Sequence, residues 1–588
     1  MRSAGFIPLL LAGAVAATPA RADQAPAAPK PAGSVPAPGA DAKAVPVTVG
    51  GWRFFSGPPP AGWANPAFDD KSWGGPAAGP FVPDRAGLSD GATPTIRYSM
   101  TRGQPLLLRG HVMAADPSRV RVLDLRVAYG DGFIAYLDGR EVARRGMAPS
   151  GTAAVFPHGP EVERVSVEVP PGGLPAAGST VGLAIFAAPM RNMVVPLVPA
   201  AAVEIGAASG VRIVRGPYLN ARADDAEGAG ITIRWQTDRP ASGKVTVARA
   251  DGVGAPRVLD VPRPALAGTV TVGGLHHGRA YTYRVDLDAG DGDRAAAGPF
   301  EFQTMPAAPA TVRFAVYGDM RYPGHAAHRM VVEGLVREAP PMVFNTGDLT
   351  DLGSEESNWQ KYFEITAPLG AITPVVPALG NHDGERRGLG AAIAWELFGI
   401  PARNGATPPP GWTSLDYGGV HFVILSTNEM GNMAQRDWLK ADLARARENH
   451  ARAIFAFCHE GPWSHGIHGN SDLMGRVYAP LLAAAHADVL FSGHDHIYER
   501  GVGSTPSGKL NYVVTGGGGA PLYPTSCRAA SGPPLVDTRA TRPCPSSVLA
   551  LTQTYHYIMV EVAKSGITMC PRHPDGTPVE PCIHLPPH

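Results

Sequence analysis

The sequence predicts a multidomain protein in which two N-terminal all-β sandwich modules precede a layered α/β domain. Three observations support this fold class. The 588 residues are enough for about three to five domains. Up to residue 305, short runs of alternating hydrophobicity are separated by Gly- and Pro-containing turns, which is typical of β sandwiches. After residue 311, strand-like runs alternate with helix-length segments, which is typical of a layered α/β domain.

The composition excludes several classes of protein. Lys and Arg total 51 and Asp and Glu total 51, so the net charge is zero and the chain lacks the basic field that drives non-specific binding to nucleic acid. Hydrophobic residues make up 44% and charged residues 17%, which predicts a globular chain. No apolar run approaches the roughly 18 residues of a spanning helix. We therefore expect no nucleic-acid partner and no transmembrane segment.

The N-terminus has the features of a cleavable export signal. Arg2 gives it a positive start, an apolar stretch covers residues 5–17, and a small-x-small cleavage pattern ends at Ala22. We predict a signal peptide at 1–22 and hence a secreted or periplasmic location. Residues 23–46 are rich in Pro and Ala and have almost nothing to bury, so they are predicted to form an extended tether.

Export would place the five cysteines in an oxidising compartment, where disulfides persist. Two short loops near the C-terminus can be closed by pairing Cys527 with Cys544 and Cys570 with Cys582. This pairing is a hypothesis, because spacing alone does not fix connectivity. The remaining Cys458 ends an apolar strand-like run just before His459, so strand alternation turns its thiol away from the side that His459 faces. We predict a buried thiol there, and a cysteine-containing tail at 566–588.

The first β module is predicted at 47–205. Asp138-Gly139 lies between two alternating runs, which is a β-hairpin signal. The stretches GWANPAFDDKSWG (62–74) and YGDGFIAYLDGREVARRGM (129–147) resemble galactose-binding-like jelly-roll modules. The resemblance makes a glycan a candidate ligand, and a spacer role is equally compatible. The tryptophans of the first stretch are predicted to be core residues rather than sugar platforms.

The second β module is predicted at 211–305, where the runs Ile231 to Gln236 and Tyr281 to Leu287 alternate with period two. The stretch GPYLNARADDAEGAGITIRWQTD (216–238) resembles the fibronectin type III-like module that precedes the catalytic domain in relatives of the purple acid phosphatases. The resemblance implies that the α/β segment behind this module is catalytic.

Polar residues that can bind metal follow one predicted strand after another in the α/β segment. Each group by itself is weak evidence for a metal site, because Gly-Asp pairs are common in turns and a His after a strand is usually a packed side chain. Sites in such domains form beyond the carboxyl ends of strands, so we expect the groups to meet there. The five groups are Gly318-Asp319, Gly347-Asp348, Gly380-Asn381-His382-Asp383, His459-Glu460 and Gly493-His494-Asp495-His496.

In order and spacing these groups resemble the calcineurin-like metallophosphoesterases, whose pattern is a first Asp, GD, GNH[DE], a later His and GHxH. The resemblance covers about 311–565 and includes TSLDYGGVHFVILSTN (413–428) and GHDHIYER (493–500). It implies a layered α/β metallophosphoesterase domain with two metal ions. By this resemblance, Asp319, Asp348 and His496 hold one ion, and Asp348 bridges to a second that is held by Asn381, His459 and His494. Carboxylate, amide and imidazole ligands without thiolate suit Fe, Mn or Zn.

The same resemblance implies hydrolysis of phosphomonoesters on a phosphorylated small molecule by a metal-bridging hydroxide. Two cations about 3.5–4 Å apart acidify such a water and clamp the phosphoryl oxygens. His382 is the implied proton donor, with Asp383 placed to orient it or to raise its pKa. His465 and His468 lie where relatives place histidines near the phosphate. Arg321 is a candidate for contacting the phosphate, with a salt bridge at the rim as its alternative.

Two positions depart from the pattern. Purple acid phosphatases carry a Tyr three residues after the second Asp, and Asp351 stands there in this chain, so no tyrosinate-to-iron colour is expected. Other relatives have Asp-x-His at the first motif, whereas this chain has Arg321 in place of the His. His328 is the preferred substitute ligand, and His325, Asp351 or a water are alternatives.

Two further functions stay open at the level of sequence. One is phosphodiester cleavage by the same centre. The other, of a different class, is a surface protein that binds carbohydrate or protein and carries a degenerate hydrolase domain. The intact set of candidate ligands favours an enzyme. Substrate choice is expected to depend on the loops after Glu429 and between His459 and Asn470.

Overall fold

The computed structural model describes residues 44–77, 105–129, 132–145, 161–169, 173–186, 203–222, 228–290, 292–321, 325–399, 411–528 and 542–587. The predicted signal peptide and the tether as far as residue 43 lie outside the described residues. Within the described ranges, no helix combines the length and the apolar character needed to cross a membrane. The described elements form two β modules followed by an α/β domain, which confirms the predicted fold class.

The described residues of the first module form nine strands. They are β1 (Val47–Ser56), β2 (Gly74–Ala77), β3 (Leu106–Ala114), β4 (Val122–Tyr129), β5 (Gly132–Leu137), β6 (Arg140–Arg145), β7 (Glu161–Glu168), β8 (Ser179–Phe186) and β9 (Val203–Ala208). They form a six-stranded sheet of order β2-β1-β3-β8-β5-β6 and a three-stranded sheet of order β7-β4-β9. Inward side chains from both sheets, such as Leu108 and Leu125, share one buried core.

Local features of this module agree with the sequence predictions. Asp138 and Gly139, between β5 and β6, have φ values of 49° and 85°, as a tight two-residue hairpin turn requires. Trp63 and Trp73 are 7% and 6% exposed and pack on one another, with ring centroids 6.2 Å apart. Both tryptophans are therefore core residues, as predicted, and neither offers a stacking surface for a sugar.

The second module consists of five antiparallel strands. They are β10 (Ile213–Ala221), β11 (Ala229–Arg249), β12 (Arg257–Leu275), β13 (Ala280–Asp288) and β14 (Arg294–Gln303), in the order β10-β11-β13-β14 with β12 paired to β11. A buried ion cluster joins it to the first module. Arg212 donates to both carboxylate oxygens of Asp124 on β4, at 2.5 and 2.6 Å, and to Asp238 at 2.6 Å. A buried guanidinium that is paired on two sides in this way links the two modules.

The α/β domain contains two further sheets. Its strands are β15 (Val312–Tyr317), β16 (Val343–Asn345), β17 (Val375–Pro377), β18 (Thr413–Tyr417), β19 (Val420–Ile424), β20 (Ala453–Phe457), β21 (Val489–Ser492), β22 (Tyr498–Thr505), β23 (Gly508–Thr515), β24 (Val548–Thr552), β25 (Tyr557–Ala563), β26 (Gly566–Arg572) and β27 (Ile583–Leu585). The sheets run β17-β16-β15-β25-β26-β27 and β18-β19-β20-β21-β23-β22-β24. β15, β16 and β17 are parallel, and so are β19, β20, β21 and β23.

These sheets pack face to face, with helices on the two outer sides. The helices are α1 (His325–Glu338), α2 (Glu356–Gly370), α3 (Glu385–Phe398), α4 (Met433–Glu448) and α5 (Ala479–Ala484). Between the sheets, the rings of Phe344 and Phe457 stack with centroids 4.4 Å apart. Residues of α1–α3 cover the first sheet, and residues of α4 and α5 cover the second. Because the central strands are buried on both faces, they are almost continuously apolar, which is why the sequence reveals them as short hydrophobic runs.

The segment 566–588, predicted as a tail, contains β26 and β27, which extend the first sheet of the α/β domain. Two disulfides, Cys527–Cys544 and Cys570–Cys582, are formed as predicted. Cys458 is buried against the α4 and α5 layer and carries a free thiol, also as predicted. The second disulfide ties β26 to the chain just before β27, which holds this short edge strand in the sheet.

The two disulfides predict a labelling pattern. Under denaturing conditions without reductant, a thiol reagent should add one label to the chain, at Cys458, because the other four of the five cysteines are paired. After reduction it should add five. Intact-mass spectrometry of both samples, with peptide mapping of the first, measures this. Three or more labels before reduction would contradict the pairing.

Candidate metal centre

The candidate ligand groups meet at one end of the α/β domain, beyond the carboxyl ends of parallel strands. Asp319 follows β15 and Asp348 follows β16, and their loops are joined because the Asp319 N–H donates to the carbonyl of Gly347 at 2.9 Å. In the other sheet, the Gly493 N–H after β21 donates to the carbonyl of His459 after β20, at 2.9 Å. Hydrogen bonds from His494 N–H to the Asp319 carboxylate, at 3.0 and 3.1 Å, connect the two sheets.

Three of the candidate ligands have a backbone conformation that is uncommon for residues with a side chain. The φ values are 60° for Asp319, 51° for Asp348 and 70° for His494. Left-handed conformations of this kind concentrate at functional sites, where the surrounding structure holds them. At each of these residues the chain turns sharply after the strand, and this turn directs the side chain toward the space between the ends of the two sheets.

His459 lies at the middle of one ligand cluster. Its Nδ1 donates to the carbonyl of Thr346 at 2.8 Å, which leaves a lone pair on Nε2. That Nε2 lies 3.1 Å from Asn381 Oδ1, 3.1 Å from His494 Nδ1 and 3.3 Å from Asp348 Oδ1. A lone pair that faces an amide oxygen and a carboxylate oxygen is repelled by them. A cation among these four atoms would convert that repulsion into attraction.

A second cluster lies beside the first. His496 Nδ1 donates to the carbonyl of Pro521 at 2.6 Å, so its Nε2 carries the lone pair and faces Asp319 Oδ1 at 3.6 Å. Ligand atoms of Asp319, Asp348 and His459 all lie within 4.8 Å of one another. Asp348 therefore lies between the two clusters, at the place where one carboxylate can contact two ions.

The charges and protonation states of these side chains favour the binding of cations. Burial, together with repulsion by Asp348, raises the pKa of Asp319 well above its usual value. Burial lowers the pKa of His459 and of His496 to about 3 and that of His494 to about 2, which makes the three rings neutral near pH 7. Two buried carboxylates beside three neutral imidazoles, with no thiolate, form a donor set that fits two divalent or trivalent cations.

Six of the seven predicted metal ligands thus come together: Asp319, Asp348, Asn381, His459, His494 and His496. The seventh, His328, does not. It lies on α1, is 1% exposed, and packs between the rings of Tyr317 and Tyr362, at centroid distances of 6.0 Å each. None of the described contacts joins it to either aspartate. The direction of a helical side chain depends on how the helix packs, and α1 turns His328 into the core of the helical layer.

Arg321 lies at the entrance to the centre. Its Nη1 donates to Asp351 Oδ1 at 3.1 Å and its Nη2 to the hydroxyl of Tyr523 at 3.1 Å. Its Nε lies 3.5 Å from Asp348 Oδ2 and has no hydrogen-bond partner. Asp351 thus forms a salt bridge with Arg321, and the guanidinium is next to the carboxylate that lies between the clusters.

His382 and Asp383 have separate roles in the structure. His382 Nδ1 donates to the carbonyl of Asp351 at 2.8 Å, and its Nε2 lies 4.0 Å from Asp348 Oδ2. Asp383 is buried and accepts from the N–H groups of Leu349, Thr350 and Gly380 at 3.0–3.2 Å. The carbonyl of Asp351, rather than Asp383 as predicted, orients His382. Asp383 instead fastens the loops after β16 and β17 to each other, since a carboxylate can accept several N–H donors at once.

The two predicted phosphate-side histidines differ as well. The ring of His468 is exposed and lies over that of His494, with centroids 4.1 Å apart, at the mouth of the centre. His465 instead pairs with the buried carboxylate of Glu499 through Nδ1 at 2.9 Å, and this hydrogen bond raises its pKa. Of the two, only His468 contacts a candidate ligand among the described residues.

Sequence reasoning placed Asp495 in a metal-binding motif without giving it a role, and it missed Tyr523. Asp495 accepts from Ser464 Oγ and from the N–H groups of His468 and Gly469, which fixes the loop that carries His468 over the centre. Its position between two histidines of a metal motif was an available signal. Tyr523 stacks on His496, with ring centroids 3.8 Å apart. It belongs to no motif, and the preceding run of four glycines marks only a tight turn.

Residues 312–498 match the family model described as calcineurin-like phosphoesterase. These residues form a calcineurin-like phosphoesterase domain. The solved structure of purple acid phosphatase PPD1 from seeds of yellow lupin, Lupinus luteus, aligns with a TM-score of 0.56 and 15% identity. The alignment covers 83% of this chain and 94% of that chain, and at this identity it shows a shared fold.

Curated relatives of the phosphoesterase domain include two plant proteins from Arabidopsis thaliana. Purple acid phosphatase 18 is 26% identical over 263 residues, or 42% of this chain and 57% of that protein. Purple acid phosphatase 21 is 27% identical over 265 residues, again 42% of this chain and 57% of that protein. The chain therefore spans somewhat more than half the length of these relatives.

Because Asp348 lies between the two ligand clusters, its substitution is expected to lower the metal content of the protein. Asp348→Asn removes the charge that both clusters use, so metal content after dialysis should fall from about two equivalents to one or fewer, because an amide is a much weaker ligand than a carboxylate. Elemental analysis by mass spectrometry measures this. Asp286→Asn, on the surface of the second module, is the matched control and should keep the wild-type content. Equal metal content in Asp348→Asn and wild type would contradict the site.

Proposed function

We propose that this protein is a dinuclear-metal phosphoesterase that hydrolyses phosphomonoesters. One observation carries the proposal: His459 Nε2 lies within 3.1–3.3 Å of Asn381, His494 and Asp348, with the Asp319–His496 pair beside them. Ligand atoms that repel one another around a buried imidazole and a buried carboxylate make a poor structural core and a good cation site. The phosphoesterase domain and the purple acid phosphatase relatives support the same conclusion.

The ligand atoms divide naturally between two ions. Asp319, Asp348 and His496 would hold the first, and Asp348, Asn381, His459 and His494 would hold the second. Fe, Mn or Zn suits this set of oxygen and imidazole ligands. When bound, the cations supply Lewis-acid chemistry, which acidifies water and offsets the negative charge of phosphoryl oxygens. A hydrogen bond from the other ring nitrogen, such as that from His459 Nδ1 to the Thr346 carbonyl, fixes the orientation of the ring and keeps its lone pair directed at the ligand cluster.

The protein's own side chains would bind and orient the phosphoryl group. Arg321 reaches the entrance beside Asp348 and still has N–H groups that no described residue uses, so it can donate to a phosphoryl oxygen. His468 lies exposed over His494, on the side open to solvent. The Arg321 guanidinium would draw a negatively charged ester toward the centre, and both side chains would fix its orientation.

His382 is the proposed proton donor to the leaving oxygen. The Asp351 carbonyl takes the proton of Nδ1, so Nε2 is the atom that can accept and release a proton. Nε2 faces the Asp348 side of the centre, and the side chain is 30% exposed. A leaving alkoxide or phenoxide that receives this proton departs as the neutral alcohol, which lowers the barrier to P–O cleavage.

We also propose that the protein is exported, to the periplasm or outside the cell. The two disulfides support this, because such bonds persist in oxidising compartments. A glycan ligand for the first β module gains no support from Trp63 and Trp73, because both are buried. A role as a spacer that holds the phosphoesterase domain away from a surface fits the described residues better.

A substrate and metal screen tests the proposed reaction. We expect the protein loaded with Mn, Fe or Zn to hydrolyse an aryl phosphate faster than an aryl phosphodiester, because the entrance carries Arg321 and exposed histidines for a doubly charged ester. Phosphate release and phenol absorbance measure the two rates. A faster rate with the diester would favour a phosphodiesterase. Absence of turnover with every metal would favour a binding protein with a degenerate hydrolase domain.

Substitution of His382 tests the proton donor. His382→Ala should lower kcat for an alkyl phosphate by roughly a hundredfold or more, because general-acid catalysis contributes about 10²–10⁴-fold. The loss should be smaller for an activated aryl phosphate, whose leaving group needs less help from a proton. His584→Ala, an exposed histidine on β27, is the control and should keep wild-type rates. Equal losses with both leaving groups would contradict this role.

A further inference from the structure

Position 351 carries an Asp rather than a Tyr, and a phenol from another strand end lies beside the centre. Tyr523 follows β23 and lies beside His496, one of the candidate ligands of the first ion. Its hydroxyl bonds to Arg321 and not to an aspartate of the centre. Tyr523 belongs to no sequence motif, so its role follows from its contacts among the described residues.

Four contacts hold Tyr523 in place, two through its backbone and two through its ring. Its backbone N–H donates to the carbonyl of His496 at 3.1 Å, and its carbonyl accepts from Gln553 Nε2 at 2.7 Å. The ring stacks on the imidazole of His496, with centroids 3.8 Å apart and planes inclined by 15°. The edge of His468 meets the ring at 5.5 Å. The hydroxyl therefore has little freedom, and its position is determined by the metal-binding loop itself.

The hydroxyl of Tyr523 acts on the guanidinium of Arg321. Nη2 of Arg321 donates to it at 3.1 Å, while Nη1 donates to Asp351 Oδ1 at 3.1 Å. A guanidinium has five N–H donors in one plane, so fixing both Nη atoms fixes the direction of the remaining donors. With Nε held 3.5 Å from Asp348 Oδ2, the plane lies against the carboxylate between the two ligand clusters.

We propose that Tyr523 is a positioning residue for substrate binding: its hydroxyl holds Arg321 in the orientation in which the guanidinium donates to a phosphoryl oxygen at the centre. Asp351 holds the other side of the same guanidinium. Asp351, which stands where the resembling family has its iron-binding Tyr, thus helps to orient Arg321. This inference rests on the proposed phosphoesterase function.

Tyr523→Phe tests the inference, because it removes the hydroxyl and keeps the ring on His496. We expect the dissociation constant for inorganic phosphate, measured by calorimetry on the metal-loaded protein, to rise about five- to tenfold, as for loss of one hydrogen bond to a charged group. KM should rise by a similar factor, and kcat should change by less than about twofold, because the bond orients ground state and transition state alike. Tyr281→Phe, whose hydroxyl accepts one backbone N–H in the second module, should leave both values unchanged.

A double-mutant cycle separates positioning from other roles. If Tyr523 acts through Arg321, then adding Tyr523→Phe to Arg321→Ala should weaken phosphate binding by less than about twofold beyond Arg321→Ala alone. Full additivity of the two effects would overturn the proposal. So would unchanged phosphate affinity in Tyr523→Phe. Metal content should equal that of wild type, and its loss would overturn the proposal by assigning Tyr523 to metal binding.

The visible absorption spectrum of the iron-loaded protein tests the role of Tyr523 without measuring turnover. Because the hydroxyl is engaged by Arg321, the Fe(III)-loaded protein should show no visible tyrosinate-to-iron band. A band that disappears in Tyr523→Phe would identify Tyr523 as an iron ligand and overturn the proposal. Failure of the function itself reads differently: wild type would then bind no phosphate and hydrolyse no ester, whereas failure of the inference alone leaves wild-type binding and turnover intact.

Discussion

The candidate metal centre is organised around one unfavourable interaction, the mutual repulsion of the ligand atoms around His459 Nε2. Asn381 Oδ1, Asp348 Oδ1 and that lone pair lie within 3.1–3.3 Å without a proton between them. The Asp348 and His459 side chains are buried, and solvent reaches the cluster from the side of the exposed Asn381. A positive charge inside the cluster would relieve the repulsion, and the surrounding loops are arranged so that the ligands cannot turn away.

Close backbone packing is what prevents those ligands from turning away. A Cβ on Gly380 would lie 2.1 Å from Asp348 Oδ1, and Gly347 has a φ of 100°, so neither position accepts a side chain without moving a ligand. The carboxylate of Asp383 fastens the same two loops from behind. The glycines of the motifs therefore allow the loops at neighbouring strand ends to approach each other closely, and the buried carboxylate of Asp383 fixes the distance between those loops.

The second β module braces the helical side of the phosphoesterase domain. Tyr218 on β10 donates to the carbonyl of Leu397 in α3 at 3.0 Å, and Tyr283 on β13 donates to that of Ala371 after α2 at 2.9 Å. The Arg212 cluster continues this connection to the first module. Directed bonds between buried groups fix orientation more than they add stability.

The sequence by itself determined the fold class, its resemblance to a metallophosphoesterase family pointed to the six residues that cluster, and its cysteine spacing suggested the two disulfides as a hypothesis. Each of these follows from a local pattern: an apolar run, a glycine and a ligand at a strand end, or two cysteines separated by a short loop. The tertiary structure decided the rest. Tyr523 meets Arg321 across 202 residues of chain, His328 faces a core because of how α1 packs, and β27 completes a sheet that its own sequence hardly marks. Contacts between distant residues have no sequence period, and the direction of a side chain depends on the partner surface, so only the folded chain shows them.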